Sequence, residues 1–228
     1  MTIKPSADLD QWHLQRWARF TASENYKLLV TSTTSIFSPG GHTYIKEKVL
    51  QMTTNIWSRP ELDEVEALLH GKVHEYPAYK ATVKATGYTN LIYLGEDKPL
   101  FLEYEPMAKD CGGSPDSISL NSDATVDIVA EFKCPKNPMN HFNRLLWKNQ
   151  WDVKEKYLQS YTQIQNLLMI TNGRLGLFVS YDDRQKRVDK KYKIIDILPD
   201  KKFQDNLEIR LRMAIKEKYR IYDEYMNS

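Results

Sequence analysis

Apolar positions along this chain follow a helical rhythm first, an alternating rhythm next, and then both in turn. From Asp8 to Arg19, Leu9, Trp12, Trp17 and Phe20 recur at roughly helical spacing. Thr21-Ala22-Ser23-Glu24 has the form of a capping box, with Thr21 as cap and Glu24 three residues on, and predicts a helix through Leu29 or Val30. Ser38-Pro39-Gly40-Gly41 reads as a turn, followed by a helix from Thr43 to Met52. Pro60 with Glu61, Asp63 and Glu64 behind it marks another helix start. That helix is expected to reach about Ala85, with Gly71 and Pro77 weakening its middle.

From about residue 88 the pattern changes to strands. Asn90–Leu94 and Leu100–Tyr104 flank Gly95-Glu96-Asp97-Lys98-Pro99, which predicts a hairpin. Ile118–Leu120 and Val126–Phe132 read as strands around the polar loop 121–125. Trp151 to Ile170 carries Val153, Tyr157, Tyr161, Ile164 and Leu168 on one helical face, and Asn172-Gly173 stops it. Leu175–Tyr181 and Tyr192–Leu198 are strands, and a charged helix runs from Pro199 towards Met226.

The expected architecture is one α/β domain over 1–228, a mixed central sheet flanked by helices. It divides into a helical part to residue 87, a sheet core at 88–198 that includes the long helix 151–170, and a C-terminal helix at 199–228. A chain of 228 residues buries a sizeable core without staples. With 41% hydrophobic and 27% charged residues, wholly disordered and collagen-like chains are excluded. Two cysteines, Cys111 and Cys134, exclude a disulfide framework and a four-cysteine zinc or iron–sulfur site. The longest apolar run, Leu167–Ile170, is far short of the ~20 residues of a membrane span. The start lacks the basic and apolar regions of a signal peptide, so a soluble, cytoplasmic protein with no membrane partner is expected. The net charge of +2 argues against a uniformly basic nucleic-acid binder. Charge is uneven, however: residues 184–228 hold 13 Lys+Arg against 8 Asp+Glu. Arg184, Lys186, Arg187, Lys190, Lys191 and Lys193 cluster there, either as a track for DNA backbone or as a solvated hairpin tip.

Candidate chemistry lies at Ser114-Pro115-Asp116 and Glu131-Phe132-Lys133. Residues i and i+2 of a strand share a face, so Glu131 and Lys133 project together with Phe132 opposite. Asp116 and Glu131 can share a hard divalent cation through carboxylate oxygens. Lys133 stands where it can orient the water attacking a phosphodiester and offset transition-state charge. The competing reading is an exposed ion pair on a strand, and a second Glu-x-Lys, at Glu96-Asp97-Lys98, reads as a solvated turn. Gly71-Lys72-Val73-His74-Glu75 puts a carboxylate on a helix before the sheet, and Gln163 lies on the long helix after it.

These segments occur in an order that resembles the phage lambda exonuclease family, the YqaJ-type viral recombinases of the PD-(D/E)xK nuclease superfamily. The resemblance is carried by Trp12-His13, Arg16, Thr21-Ala22-Ser23-Glu24, Gly71-Lys72 with Glu75, Ser114-Pro115-Asp116, Glu131-Phe132-Lys133-Cys134-Pro135 and Gln163-Ile164-Gln165. It implies a restriction-endonuclease-like core and an exonuclease that degrades one strand of linear duplex DNA 5′→3′ with Mg²⁺, Mn²⁺ being the alternative ion. Carried over, Asp116, Glu131, the Phe132 carbonyl and Glu75 are metal or metal-water ligands. Lys133 acts on the water, and Gln163 positions Lys133 or the water. Arg16, Ser23 and Ser114 bind the 5′-terminal phosphate. The resemblance also implies a ring-shaped homotrimer and a single-strand annealing protein as partner. An endonuclease of the superfamily and a non-catalytic DNA-end scaffold are the alternatives.

Two features depart from the family pattern. Asp116 and Glu131 stand fifteen residues apart, a wide spacing that brings in Asp123 and Asp127 as rival acids. His74 beside Glu75 diverges from it by about 100° on a helix, which makes it a neighbour and not a ligand. Trp147 is read as core or as a base-stacking residue of a polar loop, with His141, Arg144 and Lys148 as phosphate contacts or solvated residues. Cys134 is expected to be a buried small residue.

Overall fold

Strand β6 (Val126–Lys133) is buried on both faces, which explains its nearly unbroken apolar sequence. Ile128, Ala130 and Phe132 pack on one side with Ala78 of helix α3 (Leu62–Thr86). Val129 packs on the other with Ile164 and Leu167 of α6 (Leu158–Thr171). The computed structural model describes residues 9–32, 35–54, 62–95 and 98–228. The features expected at Pro60, Glu61 and Glu96-Asp97 lie outside them.

Around β6 the larger sheet has the order β2-β5-β6-β7-β8, with β2 (Ile92–Tyr93), β5 (Ser117–Leu120), β7 (Leu175–Tyr181) and β8 (Tyr192–Ile197). Only β6 and β7 run parallel, and α4 (Pro138–Leu145), α5 (Gln150–Lys156) and α6 cross between them. The sheet is therefore mixed and flanked by helices, as expected. A smaller sheet, β1-β4-β3, joins β1 (Phe20–Thr21), β4 (Cys111–Gly113) and β3 (Leu102–Glu103). Against it pack α2 (Pro39–Thr53) and α7 (Lys201–Met226), through Tyr44, Ile45, Leu207 and Leu211. Helix α1 spans Leu9–Arg16.

Several expectations are corrected. Thr21 caps no helix: it is a strand residue paired with Gly112, and only a short 3-10 turn, Asn25–Leu28, follows. The Thr21 amide is instead bonded to the Tyr44 hydroxyl at 2.9 Å, and buried Asn25 bonds Asn166 of α6 at 2.7 Å. Ser38-Pro39-Gly40-Gly41 opens α2 instead of forming a separate turn, because Ser38 accepts from the Gly41 amide and Pro39 sits at the first position. The hairpin expected between 90–94 and 100–104 does not form, since β2 pairs with β5 and β3 with β4. The long helix is broken at Tyr157, whose ring turns onto Arg144 and Phe178. Asn172 ends α6 in the left-handed conformation, as its sequence position suggests.

The contact of β1 with β4 is close because Gly113 has no side chain. A Cβ there would come within 2.8 Å of Ala22 Cβ and of Leu167 Cδ2. Gly113→Ala should therefore cost about 1–3 kcal/mol of stability by overpacking, read as a lower urea midpoint with an unchanged slope.

Candidate active site

The β5–β6 hairpin brings the two acids of the sequence motif together. Ser117 pairs with Ala130, so Asp116, one step before β5, stands opposite Glu131. The Asp116 amide bonds the Ala130 carbonyl at 3.2 Å, and the Phe132 amide donates to Asp116 Oδ2 at 2.7 Å. The fifteen-residue spacing is thus the length of two strands and a turn. The rival acids are elsewhere: Asp123 accepts from Thr125 in that turn, and Asp127 pairs with Arg174.

Glu131 and Lys133 share the face of β6 turned to α6, as strand alternation requires. Lys133 Nζ donates to Glu131 Oε1 at 2.6 Å and to Gln163 Oε1 at 3.2 Å. Gln163 is brought to that place by α6. Glu75 reaches the same cleft, of about 340 Å³, from α3, where Lys72, the Phe132-Lys133-Cys134-Pro135 segment and Arg144 also line it. The competing reading, an exposed ion pair, fails because Glu131 is only 2% exposed.

Electrostatically the cleft is strained toward a cation. Burial, together with Glu131 and then Glu75, holds the Asp116 carboxyl well above the ordinary range. Burial opposes the Lys133 charge, but Glu131 and Asp116 outweigh it and hold its ammonium above the usual lysine range. Glu131 Oε2 is buried with no hydrogen-bond partner, a costly state for a carboxylate oxygen. Among the described residues no three His, Cys, Asp or Glu side chains already converge as a ligand set, with one oxygen of Glu131 bonded to Lys133 and one of Asp116 to the Phe132 amide. The donor chemistry nevertheless fits a hard divalent ion: carboxylate oxygens, one of them orphaned.

A second cluster lies two residues before Asp116. Trp12 Nε1 and Arg16 Nη1 both donate to Ser114 Oγ, at 2.9 and 3.3 Å, and the Arg16 guanidinium stacks on the Trp12 ring at 4.3 Å. A hydroxyl accepting two bonds has its own proton left to donate, so Ser114 and Arg16 together offer an anion both a hydrogen bond and a charge. Burial pulls the Arg16 guanidinium below its ordinary value, against the fields of Tyr44, Glu24 and Glu131. Ser23 lies one step past the Ala22–Gly113 contact, its hydroxyl 3.5 Å from that of Thr21. The i,i+4 spacing of Trp12 and Arg16 was the available signal for the indole's part.

Other candidates fall outside the site. Trp147, 7% exposed, packs on Phe178 at 5.6 Å and is core, not a stacking residue. His141 is buried between Ser180 Oγ and the Lys190 carbonyl, at 2.9 and 2.8 Å. Lys148 is exposed, and Cys134 is buried with its thiol pushed up to about 12 by burial and then by Glu75. His74 bonds the His70 carbonyl and lies 3.6 Å from Asp183. In the 182–191 link between β7 and β8, Arg184 is occupied by Asp182 and the carbonyls of Pro135 and Lys136. Arg144 does belong to the site. It is 7% exposed, its guanidinium lies on Tyr157 at 4.6 Å, and its Nη1 is buried without a partner at the cleft.

A YqaJ-like viral recombinase domain model matches residues 11–174, which include every residue of both clusters. The chain belongs to the YqaJ-like viral recombinase family. Its fold is that of the alkaline exonuclease LHK-Exo from Laribacter hongkongensis, with a TM-score of 0.75, 20% identity and 96% of each chain covered. The same protein in complex with dAMP matches equally. A phage-related exonuclease from Haemophilus somnus 129PT matches with a TM-score of 0.69 and 12% identity over 91% of this chain and 96% of its own. No curated protein gives a match. The expected family and PD-(D/E)xK-like α/β fold are therefore borne out, and reading the chain as a nuclease agrees with both. Among the described residues no helix is long and apolar enough to cross a membrane.

Beside Arg16 the site holds another buried cation. Burial brings Lys48 down to about 8, against the field of Glu24, with Arg16 and Lys27 lowering it further. Between that value and the ordinary 10.5 the unfolded chain holds a proton that the folded one has released, so stability should rise with pH across this window. Lys48→Met should abolish the rise and stabilise the fold at neutral pH, as read by urea unfolding at pH 7, 9 and 10.5.

Proposed function

We propose that this YqaJ-like protein is a divalent-metal-dependent exonuclease that degrades one strand of linear duplex DNA in the 5′→3′ direction from a 5′-phosphorylated end. The observation that carries the reading is the pairing of Asp116 with Glu131 across the hairpin, with Lys133 bonded to both Glu131 and Gln163. A DNA-end scaffold has no use for that set.

Asp116, Glu131, Glu75 and the Phe132 carbonyl are the groups that hold Mg²⁺, or Mn²⁺ in its place. When bound, the ion lowers the pKa of its water and offsets charge on the phosphate. Lys133, fixed by two acceptors, orients the attacking water and adds positive charge where the transition state becomes more negative. Gln163 positions Lys133. Arg144, held on the Tyr157 ring, turns its partnerless Nη1 to a phosphate oxygen of the scissile link, which satisfies a buried donor. Arg16 and Ser114, with Ser23 beside them, bind the terminal 5′-phosphate and set the cut at the first linkage. Through its family the protein acts in recombination, with a single-strand annealing protein as partner. A homotrimeric ring around the duplex and a location in the cytoplasm, the host's if the chain is phage-encoded, complete the reading.

Lys133→Ala and Glu131→Ala should each remove digestion of linear duplex while leaving the circular-dichroism spectrum and end binding intact. Full activity of either variant sinks the assignment. The assay compares linear with closed circular duplex in Mg²⁺ or EDTA, and digestion of the circle would mark an endonuclease instead.

Arg16→Ala should slow phosphorylated ends selectively, and an equal loss on hydroxyl ends contradicts the pocket. Arg144→Gln should lower kcat by about tenfold or more with only a small fall in the thermal midpoint, since the stacking on Tyr157 is lost while the partnerless Nη1 contributes no hydrogen bond to the fold. A large fall in stability would mark Arg144 as structural.

A further inference from the structure

Beside the catalytic cleft opens a larger groove, of about 780 Å³, which shares Lys72 and Glu75 with it. Its walls are Tyr76 and Tyr79 of α3 and Leu91, Ile92 and Tyr93 at the β2 edge. The three tyrosines form one cluster. Tyr76 and Tyr79 are stacked with ring centroids 5.9 Å apart, and Tyr93 lies 5.3 Å from the first and 5.4 Å from the second. Tyr79 is anchored, donating its hydroxyl proton to the Leu91 carbonyl at 2.9 Å and meeting Phe132 edge-on. Tyr76 is 48% exposed, with the Lys80 ammonium over its ring at 4.8 Å. Tyr93 lies against the backbone of Gly95, where any Cβ would overlap the ring. Lys98 completes the lining.

We propose that this groove is a subsite for unpaired nucleotides of a DNA strand at the mouth of the cleft, with bases against Tyr76 and Tyr93 and phosphates near Lys72 and Lys98. The proposal rests on the hydrolytic reading above and adds to it where an opened strand goes. Aromatic faces with interleaved lysines suit single strands of any sequence, because every base has a π-face. The volume falls in the range of small-ligand sites, which suits one or two nucleotides and not a turn of duplex. The position fits as well. A cleft of about 340 Å³ admits one strand and not a duplex, so cleavage there requires the end to unpair, and the bases exposed by unpairing need a new stacking partner. Unpaired bases can come from the uncut strand or from the cut strand ahead of the scissile link, and the chemistry of the groove is the same for both.

Binding is measured by fluorescence anisotropy with the full chain carrying Lys133→Ala, on duplex ends that are blunt, carry a short 3′ tail or carry a short 5′ tail. Adding Tyr76→Ala should weaken a tailed end by about tenfold, the loss of one stacked base, and weaken a blunt end less, because its bases must first unpair. Tyr76→Phe should restore tail binding. Gly95→Val, which displaces the Tyr93 ring, should weaken the same tail. A response of the 3′ tail assigns the groove to the uncut strand, and a response of the 5′ tail assigns it to the cut one. Tail affinity unaffected by Tyr76→Ala, or equal losses on blunt and tailed ends, overturns the proposal. Failure of the hydrolytic reading shows separately, as linear duplex left intact by the unsubstituted chain in Mg²⁺.

Discussion

The antiparallel register of β5 against β6 is the constraint on which the site depends. Side chains in a strand alternate, so a slip of one residue would turn Glu131 and Lys133 away from α6 and Gln163. Three features pin the register. Ile128, Ala130 and Phe132 must meet the α3 side, Val129 must meet α6, and the Phe132 amide must find Asp116. The first two are core packing, and the third sets Asp116 opposite Glu131 in the candidate site. One strand therefore satisfies the core and the site together, and a β-bulge between Ser119 and Leu120 takes up the irregularity away from the acids.

Around that pair, the enclosure works against the charges it encloses. Glu131 is nearly inaccessible, Asp116 is held toward its neutral form, and both Glu131 Oε2 and Arg144 Nη1 lack partners. Buried polar atoms in folded proteins are nearly always satisfied, so two orphans of opposite sign in one cleft form a pattern. The acidic orphan suits a cation and the basic orphan suits a phosphate, which are the two things a nuclease must hold at once. The same logic applies at Ser114, where Trp12 and Arg16 use the hydroxyl's acceptor capacity and leave its donor for an anion.

Much of the site was legible in the sequence because its chemistry is local. Glu131 and Lys133 are two apart on a strand, Ser114 and Asp116 flank one proline, Gln163 lies on a helix of clear periodicity, and Glu75 follows a helix start despite Gly71 and Pro77. What the sequence concealed is tertiary. Thr21 looked like a helix cap because the capping-box pattern records only residue types, whereas its pairing is with Gly112 of a distant strand, in a packing that the missing side chain of Gly113 leaves room for. The break at Tyr157 is invisible to periodicity, since the helical face continues across it; the ring turns because it packs on Arg144 and Phe178. Arg144 and Trp147 sat in a stretch that read as a polar loop. It is a helix and its following turn, capped by Asn137 and begun by Pro138, so one residue became a cleft lining and the other became core.

The near-neutral charge of the chain takes on a different meaning at this site. Glu75, Asp116 and Glu131 balance Lys72, Lys133 and Arg144 in the cleft, so its bare field gives a phosphodiester no net attraction. Two added positive charges from a divalent ion would tip that balance to positive beside the acids. The flanking elements, Arg16 with Ser114 on one side and on the other the tyrosine groove, where Lys72 and Lys98 face the one shared acid Glu75, keep a net positive charge without the ion. A substrate held first at those flanks would meet the acids only where the ion stands, which makes cleavage conditional on the metal while end binding is not. A chain with a large uniform positive charge would bind DNA everywhere and lose that distinction; a local arrangement at +2 keeps it.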